Sequence, residues 1–88
     1  MNLRRSYIEV IAEMLRVSEK GVNKTEILYS ANMSHYQLQK YLSSLLAHGF
    51  IDRLTTENSH FNYRVTKRGS KLLKSIDNIL EALGFESK

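Results

Sequence analysis

Residues 34–51, SHYQLQKYLSSLLAHGFI, contain a helix with a start signal and a stop signal. Ser34 is a favoured N-cap residue, Gln37 stands where it can complete a capping box, and Gly49 is typical of a helix end. One side of the helix is polar but almost uncharged, whereas a solvated helix face usually carries Glu and Lys. Its opposite side is an apolar stripe formed by Leu38, Leu42 and Leu45.

A second helix is predicted shortly before this one. Asn23 and Glu26 form another capping pattern eleven residues upstream of Ser34, and residues 31–33 are too few for anything but a turn. Two helices joined by so short a turn predict a helix-turn-helix. A further amphipathic helix is expected over about residues 3–18, with a left-handed stop at Gly21.

The pattern of the sequence changes after the third helix. Residues 50–54 and 61–65 alternate apolar with polar, and the polar segment between them predicts a β-hairpin. Thr66 is expected to cap a last helix, residues 66–84, rich in leucine and isoleucine. The order helix, helix, turn, helix, hairpin, helix predicts an α+β, mainly α fold. This is a winged helix-turn-helix, expected to form one domain over residues 1–88.

The composition excludes several classes of protein. The chain has 88 residues and no cysteine, so it has neither a disulfide nor a thiolate zinc site. No apolar run approaches the roughly 20 residues that cross a bilayer, and the N-terminus does not resemble a signal peptide. His35, His48 and His60 lack the spacing of metal ligands, and no catalytic motif is present. We expect a cytoplasmic, nucleoid-associated protein without enzyme activity, metal, cofactor or small-molecule ligand, and without membrane contact.

The charge distribution favours an anionic partner. The formal net charge is +4, and no Asp or Glu occurs in residues 58–76. A basic hairpin and helix start are suited to phosphate contacts, although an ordinary solvated helix face is the alternative. The basic residues of this segment are Arg64, Lys67, Arg68, Lys71 and Lys74.

Three segments resemble small archaeal winged-helix DNA-binding proteins of the Sulfolobus type, which include dimeric chromatin and regulator proteins. They are residues 24–34 (KTEILYSANMS), 42–51 (LSSLLAHGFI) and 63–69 (YRVTKRG), the last followed by a leucine-rich helix. The resemblance covers residues 24–83 and implies a homodimer joined through its C-terminal helices, with double-stranded DNA bound by the third helix and the wing. Several relatives extend the last helix into a long coiled coil, so the expected dimer seam is shorter here.

We predict that the polar face of the third helix enters the major groove. Gln39 can read adenine and Lys40 guanine, while small serines let the helix approach closely. Tyr36 would also suit packing on the preceding helix. The predicted DNA-contacting residues are His35, Tyr36, Gln37, Gln39, Lys40, Ser43 and Ser44 of the helix, and Arg53, Arg64, Lys67 and Arg68 of the hairpin and last helix.

The last helix carries two overlapping apolar seams. One seam can pack on the domain's own first helix and the other on a partner subunit, which predicts a homodimer. A single wide stripe buried in a monomer is the alternative. The seams are Leu72, Ile76, Ile79 and Leu83, and Leu73, Ile76, Leu80 and Leu83.

The sequence therefore predicts a homodimeric DNA-binding protein that acts as a transcriptional regulator. Two alternatives remain open at this point. One is an architectural chromatin protein with little sequence preference, and the other is a winged helix that contacts a protein partner.

Overall fold

The computed structural model describes residues 6–84, with the backbone alone at Ser59. The order of the elements confirms the predicted α+β winged-helix fold. Its helices are α1 (Tyr7–Val17), α2 (Lys24–Ser30), α3 (His35–Ala47) and α4 (Lys67–Ala82); strands β1 (Ile51–Thr55) and β2 (Phe61–Val65) form the hairpin, and short 3-10 turns occupy Ser18–Lys20 and Glu57–Ser59.

Capping boxes start three of the helices. The boxes predicted at Asn23 and Ser34 are confirmed, since each side chain accepts a hydrogen bond from the third helical N–H and the reciprocal bond is present. A third box joins Ser6 and Glu9, so α1 begins at Tyr7, four residues later than predicted. The predicted start at Leu3 lies outside the described residues.

The core lies where α1 meets the other three helices and the base of the hairpin. Met14 and Leu15 of α1, Ile27 of α2 and Ile51 of β1 are almost completely buried. Each such side chain contributes about 1.5–3 kcal/mol on burial. Around them, α3 supplies Leu38, Leu42 and Leu45, and α4 supplies Leu73, Ile76 and Leu80.

A short bridge not foreseen from the sequence ties the hairpin to the start of α2. Val22 and Tyr63 exchange both backbone hydrogen bonds, at 3.0 and 2.7 Å, so β2 has a pairing partner on each edge. Gly21 does have positive φ, but its ψ of 106° lies outside the left-handed helical region, and α1 already ends at Val17. A single paired residue leaves no period-two pattern, which is why the sequence did not reveal this bridge.

An ion pair joins α1 to α4 at the edge of the core. Arg16 Nη1 and Nη2 donate to the two carboxylate oxygens of Asp77 at 3.0 and 3.4 Å. This hydrogen bond raises the pKa of Arg16. The arginine is therefore charged in the folded and unfolded chain throughout the neutral range, and its ionisation adds no pH dependence to stability there.

Asp77→Ala should lower the free energy of unfolding by about 1 kcal/mol. The pair is bidentate but its side chains are each about a third exposed, and that exposure limits its value. Glu81→Ala removes a carboxylate from an exposed position of the same helix and should change stability by less than about 0.5 kcal/mol. Urea unfolding of both variants checks this; equal stabilities would show that the ion pair contributes nothing.

Candidate nucleic-acid interface

The outer face of α3 is a row of exposed hydrogen-bonding side chains. Tyr36 is 74% exposed, so it does not pack on the preceding helix. Lys40 Nζ lies 5.9 Å from the centre of the Tyr36 ring, so the ammonium group stays beside the aromatic face. Gln39 and Ser43 are also exposed on this face. No Asp or Glu occurs in residues 27–51, so nothing on α3 would repel a phosphate backbone.

Three predicted contacts lie at the margins of this face. His35 is exposed in the first turn of α3. Gln37 Oε1 accepts a hydrogen bond from the Ser34 N–H at 3.1 Å, so its carbonyl oxygen is occupied in the capping box. Ser44 faces a groove between α1 and α4 rather than the centre of the row. The structure therefore brings Tyr36, Gln39, Lys40 and Ser43 together, and it sets the other three apart.

The two arginines of the wing lie on opposite faces of the hairpin. In the antiparallel register Arg53 pairs with Tyr63 and Asp52 pairs with Arg64. The guanidinium of Arg53 stacks 4.4 Å from the centre of the Phe61 ring. Both arginines are exposed, so each can contact a phosphate, but they do not form one cluster.

The first turn of α4 holds the end of α3. Arg68 Nε donates to the carbonyl oxygen of His48 at 3.0 Å, and its guanidinium lies 4.9 Å from the centre of the Phe50 ring. Lys67 beside it is exposed. The sequence predicted DNA contacts for both residues and did not reveal the contact of Arg68 with His48, because the two residues are twenty positions apart and no local pattern joins them.

An apolar groove of about 480 Å³ runs between α1, α3 and α4. Tyr7 and Ile8 line its α1 side and are 56% and 43% exposed. The edge of the Tyr7 ring meets Tyr41 of α3 at a centroid distance of 5.3 Å, which ties the two helices together. Leu72, Ile76 and Ile79 line the α4 side.

Five of the six residues predicted for a dimer seam divide into a buried and an exposed group, and the sixth, Leu72, is half-buried. Leu73, Ile76 and Leu80 are between 5% and 8% exposed and belong to the core of this chain. In contrast, Ile79 and Leu83 are 56% and 66% exposed. The two seams share the buried Ile76 and the exposed Leu83, and they differ because Leu73 and Leu80 lie in the core of this chain while Ile79 lies outside it.

A second depression, of about 650 Å³, lies between the start of α2 and the wing. Its lining includes the hydrogen-bonding side chains of Lys24, Thr25, His60 and Asn62. The sequence did not indicate it, because these residues come from distant segments. Within residues 6–84, no three His, Asp or Glu side chains gather in a possible metal site. Over the same part of the chain, every helix is too short or too polar to cross a membrane.

Comparisons with known proteins agree with this geometry. Residues 4–83 match the family model described as winged helix-turn-helix. The uncharacterized protein MJ0287 of Methanocaldococcus jannaschii is 32% identical over 81 residues, 91% of this chain and 78% of that protein. Sso10a-2, a DNA-binding protein from Sulfolobus solfataricus, superposes with a TM-score of 0.82 at 28% identity, covering 90% of this chain and 82% of that one.

A more distant structure shares the fold alone. The S. aureus MepR–DNA complex superposes with a TM-score of 0.69 at 16% identity, over 89% of this chain and 66% of that one. The family match, MJ0287 and Sso10a-2 confirm the resemblance to small archaeal winged-helix proteins expected from residues 24–83.

Proposed function

Because the chain belongs to the winged helix-turn-helix family, we propose that it binds double-stranded DNA as a homodimer and regulates transcription. The observation that carries this proposal is the exposed, acid-free face of α3, which presents Tyr36, Gln39, Lys40 and Ser43 together. Further support comes from Sso10a-2, which is described as a DNA-binding protein, and from the fold shared with MepR in its DNA complex.

In the proposed complex α3 lies in the major groove and the wing flanks it. Gln39 and Lys40 are the candidates for base contacts, because amide and ammonium groups match the major-groove edges of adenine and guanine. Arg53, Arg64 and Lys67 are exposed and would contact phosphates, which supply affinity without sequence information. In a symmetric dimer the two half-sites would be about 34 Å apart, or a multiple of that distance.

The function is tested by fluorescence anisotropy with duplexes selected from a random pool and with unselected duplexes, at one salt concentration. A regulator should prefer selected duplexes, and log K should fall with log salt by about 0.9 for each phosphate contact. Equal affinities would instead support the architectural alternative. Absence of binding to any duplex would favour the protein-interaction alternative.

The proposed dimer surface is the outer row of α4 together with the start of α1. Ile79 and Leu83 are exposed large apolar residues, and Leu72 is half-buried at the adjacent groove. Tyr7 and Ile8 continue this surface on α1. Contiguous apolar surface of this kind is uncommon on a monomer and typical of an interface. We expect residues 1–88 to act as one domain. The α4 contact between the two subunits would then set the distance between their α3 helices.

Ile79→Asp should convert the dimer into a monomer. The change places a charge in the centre of the proposed seam, where desolvation would cost several kcal/mol. Asn78→Asp is the matched control, because it adds the same charge at the preceding, exposed position of α4 and should remain dimeric. Sedimentation measures the oligomeric state of the two variants. A dimeric Ile79→Asp variant would place the interface elsewhere.

A further inference from the structure

The end of α3 is held by the turn that begins α4. Three hydrogen bonds cross between them: Arg68 Nε to the His48 carbonyl at 3.0 Å, Thr66 Oγ1 to the Gly49 carbonyl at 2.7 Å, and the Thr66 N–H to the Phe50 carbonyl at 3.0 Å. All three acceptors are carbonyls at or just beyond the end of α3. Thr66 also accepts from the Gly69 N–H, so the same hydroxyl caps α4 while it holds α3.

These bonds complete the C-terminal cap of α3. The Phe50 N–H reaches the Leu45 carbonyl and the Gly49 N–H reaches the Leu46 carbonyl, at 2.9 and 3.2 Å, as in a Schellman motif. That motif leaves the carbonyl of His48 without a partner from α3 itself. Arg68 supplies the missing donor, and its positive charge lies at the negative end of the helix dipole.

We propose that Arg68 is a positioning residue, which fixes the recognition helix α3 on α4 instead of contacting DNA. Its Nε is engaged with His48 and its guanidinium plane rests against the Phe50 ring, so the side chain is oriented by the protein itself. Since α4 also carries the proposed dimer surface, this contact would transmit the spacing of the dimer to both copies of α3. The inference rests on the proposed function, because the orientation of α3 affects binding only if α3 reads DNA.

A phosphate contact is the competing role, because the terminal nitrogens of Arg68 have no hydrogen bond within the described residues. Arg68→Lys separates the two roles. It keeps the charge that a phosphate needs, but it lacks the planar fork that donates through Nε while stacking on an aromatic ring. Lys67→Ala is the neighbouring control, since Lys67 is exposed and proposed to contact a phosphate.

The first measurement is hydrogen exchange in the free protein, which does not depend on DNA. In Arg68→Lys the amides of Gly49 and Phe50 should exchange roughly five- to tenfold faster, because a local opening loses one charge-assisted hydrogen bond. The amides of Met14 and Leu15 in α1 should exchange as in the wild type, which excludes general destabilisation. Unchanged exchange at Gly49 and Phe50 would overturn the proposal.

The second measurement is DNA affinity as a function of salt. Arg68→Lys should bind roughly three- to tenfold more weakly with an unchanged salt slope, whereas Lys67→Ala should reduce the slope by about 0.9. Full affinity in Arg68→Lys, with a reduced slope in Arg68→Ala, would make Arg68 a phosphate contact and overturn the inference. Should the wild type bind no DNA, the proposed function fails, while the exchange data still decide whether Arg68 holds α3.

Discussion

Gly69→Ala should lower the free energy of unfolding by about 2 kcal/mol or more, although alanine normally stabilises a helix interior by about 0.5–1 kcal/mol relative to glycine. The reason is the close approach of α4 to the turn after α3. A methyl group at Gly69 would overlap the backbone carbonyl of Phe50 and lie only 2.6 Å from a methyl carbon of Val65. Backbone cannot rotate away, so the first turn of α4 would have to move.

Urea unfolding and thermal melting measure this effect. For a domain of this size the loss corresponds to a melting temperature about 10 °C lower. Ser70→Ala is the matched control, because Ser70 is the next residue of α4 and is exposed; its stability should stay within about 0.5 kcal/mol of the wild type. If Gly69→Ala is as stable as Ser70→Ala, α4 does not approach Phe50 this closely in solution.

The double variant Lys40→Ala/Arg64→Ala should bind DNA about a hundredfold more weakly. One residue lies on α3 and the other on the wing, so their contributions, each about 1–1.5 kcal/mol, should add. The loss of two charged contacts should also make the salt slope shallower, by up to about 1.8 if both contact phosphates. Anisotropy titrations at several salt concentrations provide both quantities.

A charge-matched control distinguishes the effect of removing two positive charges from the effect of removing them at Lys40 and Arg64. Lys71→Ala/Lys74→Ala removes the same two charges from exposed positions of α4 that lie outside the proposed interface. This control should lose no more than about threefold in affinity, since screened charges at a distance contribute weakly. Equal losses in the two double variants would indicate nonspecific attraction, and no loss in Lys40→Ala/Arg64→Ala would exclude this face as the DNA-binding surface.

The element order was predictable because its signals are local. A capping box involves four consecutive residues, and the boxes at Asn23 and Ser34 place the starts of α2 and α3 as predicted. Gly49 and Thr66 likewise mark the end of α3 and the start of α4. The start of α1 was predicted too early, because the apolar spacing extends upstream of the box at Ser6.

The sequence predicted the candidate site as one face of α3 but not the surroundings of each residue on it. Helical spacing groups Tyr36, Lys40 and Ser43 whatever the rest of the chain does. The capping pattern already indicates that Gln37 is engaged with Ser34, but helical spacing alone does not show that Ser44 turns toward the groove beside α1. The position of Ser44 depends on how α1 and α4 pack beside α3, which the periodicity of α3 does not encode.

By itself, then, the sequence determined which segments form helices and strands and which side of α3 is polar, since these follow from neighbours within a few positions along the chain. Only the tertiary structure decided which contacts Arg68 makes and which apolar residues of α4 are buried. Arg68 meets His48, twenty residues away, and Leu73 and Leu80 of α4 are buried while Ile79 stays outside. Both results depend on how α4 packs against α1 and α3, a contact between distant segments that no local pattern encodes.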